Sequence, residues 1–276
     1  MRSKFLTAVI SLLILASCKK TDETTPQQND IENSFQLASD QALADNLAED
    51  VNDVIIEALT ERNLDGNIVE PTMGHLLCAT ITVAPQAGFP KTIVIDFGQG
   101  CTSPNGITRS GSITVVLSDS LRLPGSTAIS SFQNYFVNGF KIEGNHTLTN
   151  ISSAGVKRWR REVENGKITS PNGNVRLHES DREIEHAHGA NTPHNILDDE
   201  FHITGTATIT NPAGITRTSE ILSELHKKVI CANIDEGTMR IDGPNHYAVL
   251  DYGNGTCDRL ATISIDGNPP RQILLP

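Results

Sequence analysis

An antiparallel, hairpin-rich β sheet or sandwich, mainly β and preceded by one N-terminal amphipathic helix, is the fold this sequence predicts. Three observations carry that expectation. Beyond about residue 76, apolar residues recur at every second position, as in Ile93, Ile95 and Phe97 and in Ile113, Val115 and Leu117, which sends them all to one face of a strand. Turn formers separate the runs: Asn138-Gly139, Asn165-Gly166, Asn172-Gly173, Asn211-Pro212-Ala213-Gly214 and Asp242-Gly243. Asn-Gly tolerates the positive φ of tight hairpins. Ahead of the strands lies one stretch of helical period, and none follows. About ten to fourteen hairpin-linked strands make an antiparallel all-β domain rather than a parallel α/β sheet.

The 276 residues carry a formal charge of −11, with 37% hydrophobic and 20% charged residues. That balance excludes wholesale disorder and fibrous repeats. The acidity argues against a nucleic-acid partner, whose recognition needs a basic footprint. No apolar run reaches the ~18 residues of a spanning helix.

The elements follow in order. Arg2 and Lys4 precede an almost unbroken apolar run from Phe5 to Ala16, too short to span a bilayer but suited to an export signal. The run ends in Leu15-Ala16-Ser17-Cys18, which resembles a bacterial lipobox. The resemblance implies that residues 1–17 are a signal peptide that is removed. It also implies that Cys18 carries the acyl chains (palmitate among them), and that the membrane is a partner through this anchor. Each buried CH₂ contributes about 0.8 kcal/mol, so several chains hold a soluble domain at a bilayer. Removing residues 1–17 takes away Arg2 and Lys4 and no acid, so the charge moves from −11 to −13. Residues 18–30 are polar and read as a tether. Lys19 after the Cys fits outer-membrane sorting of lipoproteins in general, and Asp22 and Glu23 resemble surface-export signals. The expected location is therefore the outer membrane, on its periplasmic or its surface face.

Over residues 31–62, Phe35, Ala38, Ala42, Leu43, Leu47, Val51, Val54, Ile55, Ala58 and Leu59 recur at mostly three- and four-residue steps. That is an amphipathic helix, capped near Asp30 or Asn33 and packed on the sheet that follows. Residues 73–276 form the β domain, which contains an internal repeat. Cys78-Ala79-Thr80-Ile81 and Ile95-Asp96-Phe97-Gly98-Gln99-Gly100-Cys101 are echoed by Cys231-Ala232-Asn233-Ile234 and Asp251-Tyr252-Gly253-Asn254-Gly255-Thr256-Cys257. A shorter echo relates Gly144–Asn150 to Gly205–Asn211. With Cys18 acylated, four cysteines remain in an exported chain, where disulfides persist. Of their three possible pairings, the echo favours Cys78–Cys101 and Cys231–Cys257, each closing a hairpin.

These pieces, with Gly106–Gly111 and Tyr135–Gly144, resemble a group of lipoproteins common in Bacteroidota-type bacteria. The likeness covers most of residues 76–276. It implies an anchored β-rich ectodomain and assigns no catalytic residues.

Two clusters carry candidate chemistry. Residues 181–202 contain His186, His188, His194, Asp198, Asp199, Glu200 and His202. In a strand His186 and His188 share a face, and imidazole with carboxylate suits a divalent transition metal. The metal candidates are His186, His188, His194, Asp198 and His202; no other cofactor is expected. Lys157-Arg158-Trp159-Arg160-Arg161 is a basic run around the only Trp, and Arg158, Trp159, Arg160 and Arg161 could grip an anionic ligand. In a strand, Lys157, Trp159 and Arg161 share one face. Asp96 and Asp251 are expected to hydrogen-bond the glycine turns after them.

The expected role is binding or structure rather than catalysis, with an envelope protein or glycan as partner. The alternatives are a metal-dependent hydrolase using 186–202 and a glycan- or anionic-polymer-binding accessory lipoprotein using Arg158–Arg161. Labelled palmitate should enter the wild-type protein and not Cys18→Ala; an unlabelled wild type refutes the anchor.

Overall fold

The computed structural model describes residues 26–60, 74–192 and 195–276. The expected signal peptide, Cys18, most of the expected tether, His194 and the expected helix end after residue 60 lie outside the described residues.

The helix α1 (Pro26–Thr60) starts ahead of the expected caps. Proline has no N–H to leave unbonded in a first turn, and its φ suits the helix. Asp30 lies inside the helix, where its carbonyl accepts from Ser34 Oγ at 3.0 Å. The strands follow: β1 (Thr80–Ala84), β2 (Lys91–Asp96), β3 (Cys101–Thr102), β4 (Thr108–Leu117), β5 (Thr127–Val137), β6 (Phe140–Asn150) and β7 (Arg158–Thr169). The second half comprises β8 (Val175–His188), β9 (Glu200–Thr210), β10 (Thr216–Lys228), β11 (Glu236–Asp242), β12 (Tyr247–Asn254), β13 (Leu260–Ile265) and β14 (Arg271–Leu274). All fourteen belong to one antiparallel sheet, in chain order from β1 to β14 with the short β3 set aside against β4. A sandwich of two sheets is not what forms.

Both expected disulfides are present, Cys78–Cys101 and Cys231–Cys257. The two aspartates of the repeat do the same work. Asp96 Oδ1 accepts from Gly98 N at 2.8 Å and Asp251 Oδ1 from Gly253 N at 2.9 Å. Asn138-Gly139 is a two-residue hairpin between β5 and β6, with Val137 opposite Phe140. Asn165-Gly166 is not a turn. It lies inside β7, where the register against β8 slips between Val163 and Gly166.

That slip is one of a row. Every ladder from β4–β5 through β11–β12 carries a register shift. The flanking ladders β1–β2, β2–β4, β12–β13 and β13–β14 run unbroken. Bulges bend a strand and increase its twist, so a row of them curls the sheet. Gly144, in the shorter echo, shows why the residue must be Gly. Its φ is +119°, and a Cβ there would lie 2.8 Å from the Asn165 carbonyl oxygen on the next strand.

The curled sheet closes round α1. Every residue from Ala44 to Leu59 is buried, about four turns of helix with no solvent face. Leu47, Val51, Val54 and Ala58 meet an apolar wall that includes Ile93, Ile113, Ile203, Met239 and Leu250. The expected amphipathic helix on a sheet is therefore half right, because the polar face is buried too. There Asp40 pairs with Arg176 (2.6 Å), Asp45 with Arg182 (2.9 Å), Glu49 with Arg161 (2.5 Å) and Asp53 with Lys227 (2.8 Å). Asp50 takes both Nε and Nη2 of Arg109. Glu57 pairs with His75 Nδ1 at 2.9 Å and accepts the backbone N–H groups of His75 and Leu76. The basic partners stand on β4, β7, β8 and β10 and in the segment before β1, so only a sheet that encircles the helix brings them to it.

At Asp45 burial is outweighed by Arg182 and His178, which hold its carboxyl below the ordinary range; at Glu49, His146 and His178 burial decides. It holds the Glu49 carboxyl above the ordinary range in spite of Arg161, with Asp53 and Asp45 pushing the same way. Burial likewise pushes His146 down to about 3 and His178 to about 4, with Arg161 lowering both further.

Two outcomes follow. Arg182→Met leaves Asp45 buried without its partner and should cost about 3–5 kcal/mol in urea unfolding, most of it recovered when Asp45→Leu is added. His178 stays neutral in the folded protein while the unfolded imidazole, with its ordinary value of 6.5, takes a proton. Between pH 6.5 and 4 the unfolded state binds more protons, so stability falls as pH falls, by about 1.4 kcal/mol per unit for each such group. Urea midpoints measured across that window should fall less steeply in His178→Gln than in wild type.

Candidate functional site

Up-and-down connectivity places alternate turns at the same end of a sheet. The connections β4–β5, β6–β7 and β8–β9 thus gather where the last turns of α1 lie. Between them is a largely apolar cavity of about 550 Å³, whose wall includes Ile56 of α1, Val156, Lys157, Trp159, His186 and Asp199. Two segments that looked separate in the sequence, the basic-aromatic run and the His/Asp cluster, each send residues to this one cavity.

Strand alternation explains which residues arrive. Lys157 borders β7, with Trp159 and Arg161 in its inner phase and Arg158 and Arg160 in its outer phase. Trp159 is 6% exposed, and its indole N–H finds no partner among the described residues. Arg161 lies deeper, on Glu49. Outside, Arg158 pairs with Glu185, and Arg160 bonds Asp181 at 2.6 and 2.7 Å and Glu162 at 3.2 Å. The Arg160 hydrogen bonds hold the Asp181 carboxyl below its ordinary range. The expected grip of Arg158, Trp159, Arg160 and Arg161 on one surface is therefore not formed. The run is split between the interior and an outer face where acids already hold the guanidinium groups.

The His/Asp stretch is divided in the same way. His186 Nε2 sits 2.9 Å from Asp199 Oδ1, and its ring stacks on Phe201 at 5.0 Å between centroids, with Trp159 at 6.2 Å. The partner of His186 is thus Asp199, which was not among the metal candidates. Gly189 makes room for that pair: its φ is +84°, and a Cβ there would lie 2.8 Å from Asp199 Cα. His188 is exposed, 3.1 Å from the Asp198 carbonyl oxygen, a bond that raises its pKa. The Asp198 carboxylate instead accepts from Thr192 Oγ1 at 2.9 Å. His202 follows the buried Phe201 along β9 and turns to the opposite face, 3.3 Å from Glu224. So His186, His188, Asp198 and His202 do not converge on one point. Among the described residues, one group of three metal-ligand side chains lies within mutual reach, Cys231, Asp235 and Cys257. Both of its sulfurs are bonded to each other.

Sequence reasoning missed Ile56 and Lys157 as cavity residues. The signal for Lys157 was its phase, shared with Trp159. For Ile56 there was none, because nothing local says that the helix end meets the sheet's mouth. Compared with protein-family models, with curated proteins and with solved structures, the chain finds no match in any of the three.

Proposed function

We propose that this is a cell-envelope lipoprotein, held at the outer membrane by acylated Cys18, whose β domain binds a small, largely apolar molecule in the cavity beside Trp159 and His186. The cavity is the observation that carries the reading. Val156 stands exposed at its rim, and a ligand that covers such apolar surface gains about 25 cal/mol per Å². A volume of about 550 Å³ falls within the range of small-molecule sites, which favour the mouths of β structures. Binding is preferred to metal-dependent hydrolysis because the residues that reaction would need stand apart. It is preferred to polymer gripping because Arg158 and Arg160 are already engaged by acids. A polar tether between Cys18 and the domain would keep the cavity clear of the bilayer.

The uncharged bicyclic 2-naphthamide tests this, with the single Trp159 as reporter. Titration should quench Trp159 emission saturably, and Ala190→Phe, which fills the cavity from its loop, should abolish the quenching without moving the unfolding midpoint. Linear quenching, equal in both proteins, would refute the site.

A further inference from the structure

We propose that Asp53 of α1 and Lys227 of β10 condense to an intramolecular amide, which ties the helix covalently to the sheet around it. The bond does not depend on the cavity. Among the described residues that pair with α1, the other cations are guanidinium and imidazole groups, neither of which forms a stable amide with a carboxylate. Lys227 brings a primary amine. Its Nζ lies 2.8 Å from Asp53 Oδ2, and both side chains are 1% exposed. Neither Asp53 oxygen accepts an aligned hydrogen bond from a described residue.

The amine is aimed. Lys227 Nζ offers three N–H positions, and it donates to the carbonyls of Lys228 at 2.9 Å and Cys231 at 2.8 Å. The third position is left to Asp53, so loss of that proton turns the nitrogen lone pair on the carboxyl. Both partners are held in place. The turn after β10 is closed by Cys231 N–H on the Lys228 carbonyl at 3.0 Å and stapled by the Cys231–Cys257 disulfide. The helix is fixed to the same segment, where Asn46 Oδ1 accepts from Ile234 N at 2.8 Å. Reacting groups held so close have the advantage of an intramolecular step.

The reaction balances without a co-reactant. A proton passes from the Lys227 ammonium to Asp53, leaving a neutral amine and a carboxylic acid. Nζ attacks Asp53 Cγ and the N–C bond forms. A second proton moves from the nitrogen to the hydroxyl, and the C–O bond breaks as water leaves. Glu49, one turn earlier on the same helix face, is placed to carry that proton. Burial holds its carboxyl above the ordinary range in spite of Arg161, which suits a proton carrier. Ammonium and carboxylate vanish together, and with them the desolvation cost of two buried charges.

Peptide mass spectrometry of the reduced full chain reads the bond. Trypsin should release one branched peptide that joins the segments around Asp53 and Lys227 and is lighter than the two together by one water. Lys227→Met and Asp53→Ala should each give the segments unjoined. Glu49→Gln should leave them unjoined in protein that still folds. Separate, unmodified segments from folded wild type overturn the bond, and that measurement needs no variant. A joined peptide from Glu49→Gln overturns the part given to Glu49.

Discussion

The acidic face of α1 against the basic side chains inside the sheet is the constraint on which the rest depends. Six carboxylates on one helix, from Asp40 to Glu57, meet partners that include Arg109, Arg161, Arg182 and Lys227. None of these charges can be left in a dry interior, since each unpaired ion costs several kcal/mol. The pairs are weak evidence for net stability, because desolvation offsets most of their attraction. What they impose is orientation: a helix rotated about its axis would turn these acids towards the apolar wall and leave the arginines bare.

The same constraint accounts for the sheet. Encircling a helix with strands requires curvature that a regular pleat does not supply. The register shifts lie where the curvature is needed, in the ladders between β4 and β12, and the edges of the sheet lack them. A curled meander round a helix has two ends, and its loops form a mouth at each. The cavity at the helix's last turns arises from that geometry, with Ile56 inside it and the β6–β7 and β8–β9 loops around it.

Much of this was legible in the residues. Period-two alternation identified β4, β8 and β9, the paired Asp-aromatic-Gly-x-Gly units identified both disulfides, and Asn138-Gly139 marked a true hairpin. Other signals were ambiguous. Asn-Gly permits positive φ in a turn or in a bulge, so Asn165-Gly166 looked like the one and is the other. A mark of the buried ion pairs was present as phase: Arg161 falls in step with Trp159 and Val163, Arg182 with Ile184, and Lys227 with Leu225. A charge in the apolar phase of a strand is an inward charge. Read beside the acids of α1, those three positions predict the internal pairing.

By itself the sequence determined element type, disulfide pairing and the polarity of each strand face, because these depend on local conformational preference and on a period that runs along the chain. The tertiary structure alone decided that the helix lies inside the sheet, that Asp199 rather than Asp198 holds His186, and that Trp159 and His186 share a cavity. Those outcomes depend on which residues distant in sequence meet. That is settled by the total curvature of fourteen strands and by the need to neutralise every buried charge, and no short window of residues contains either.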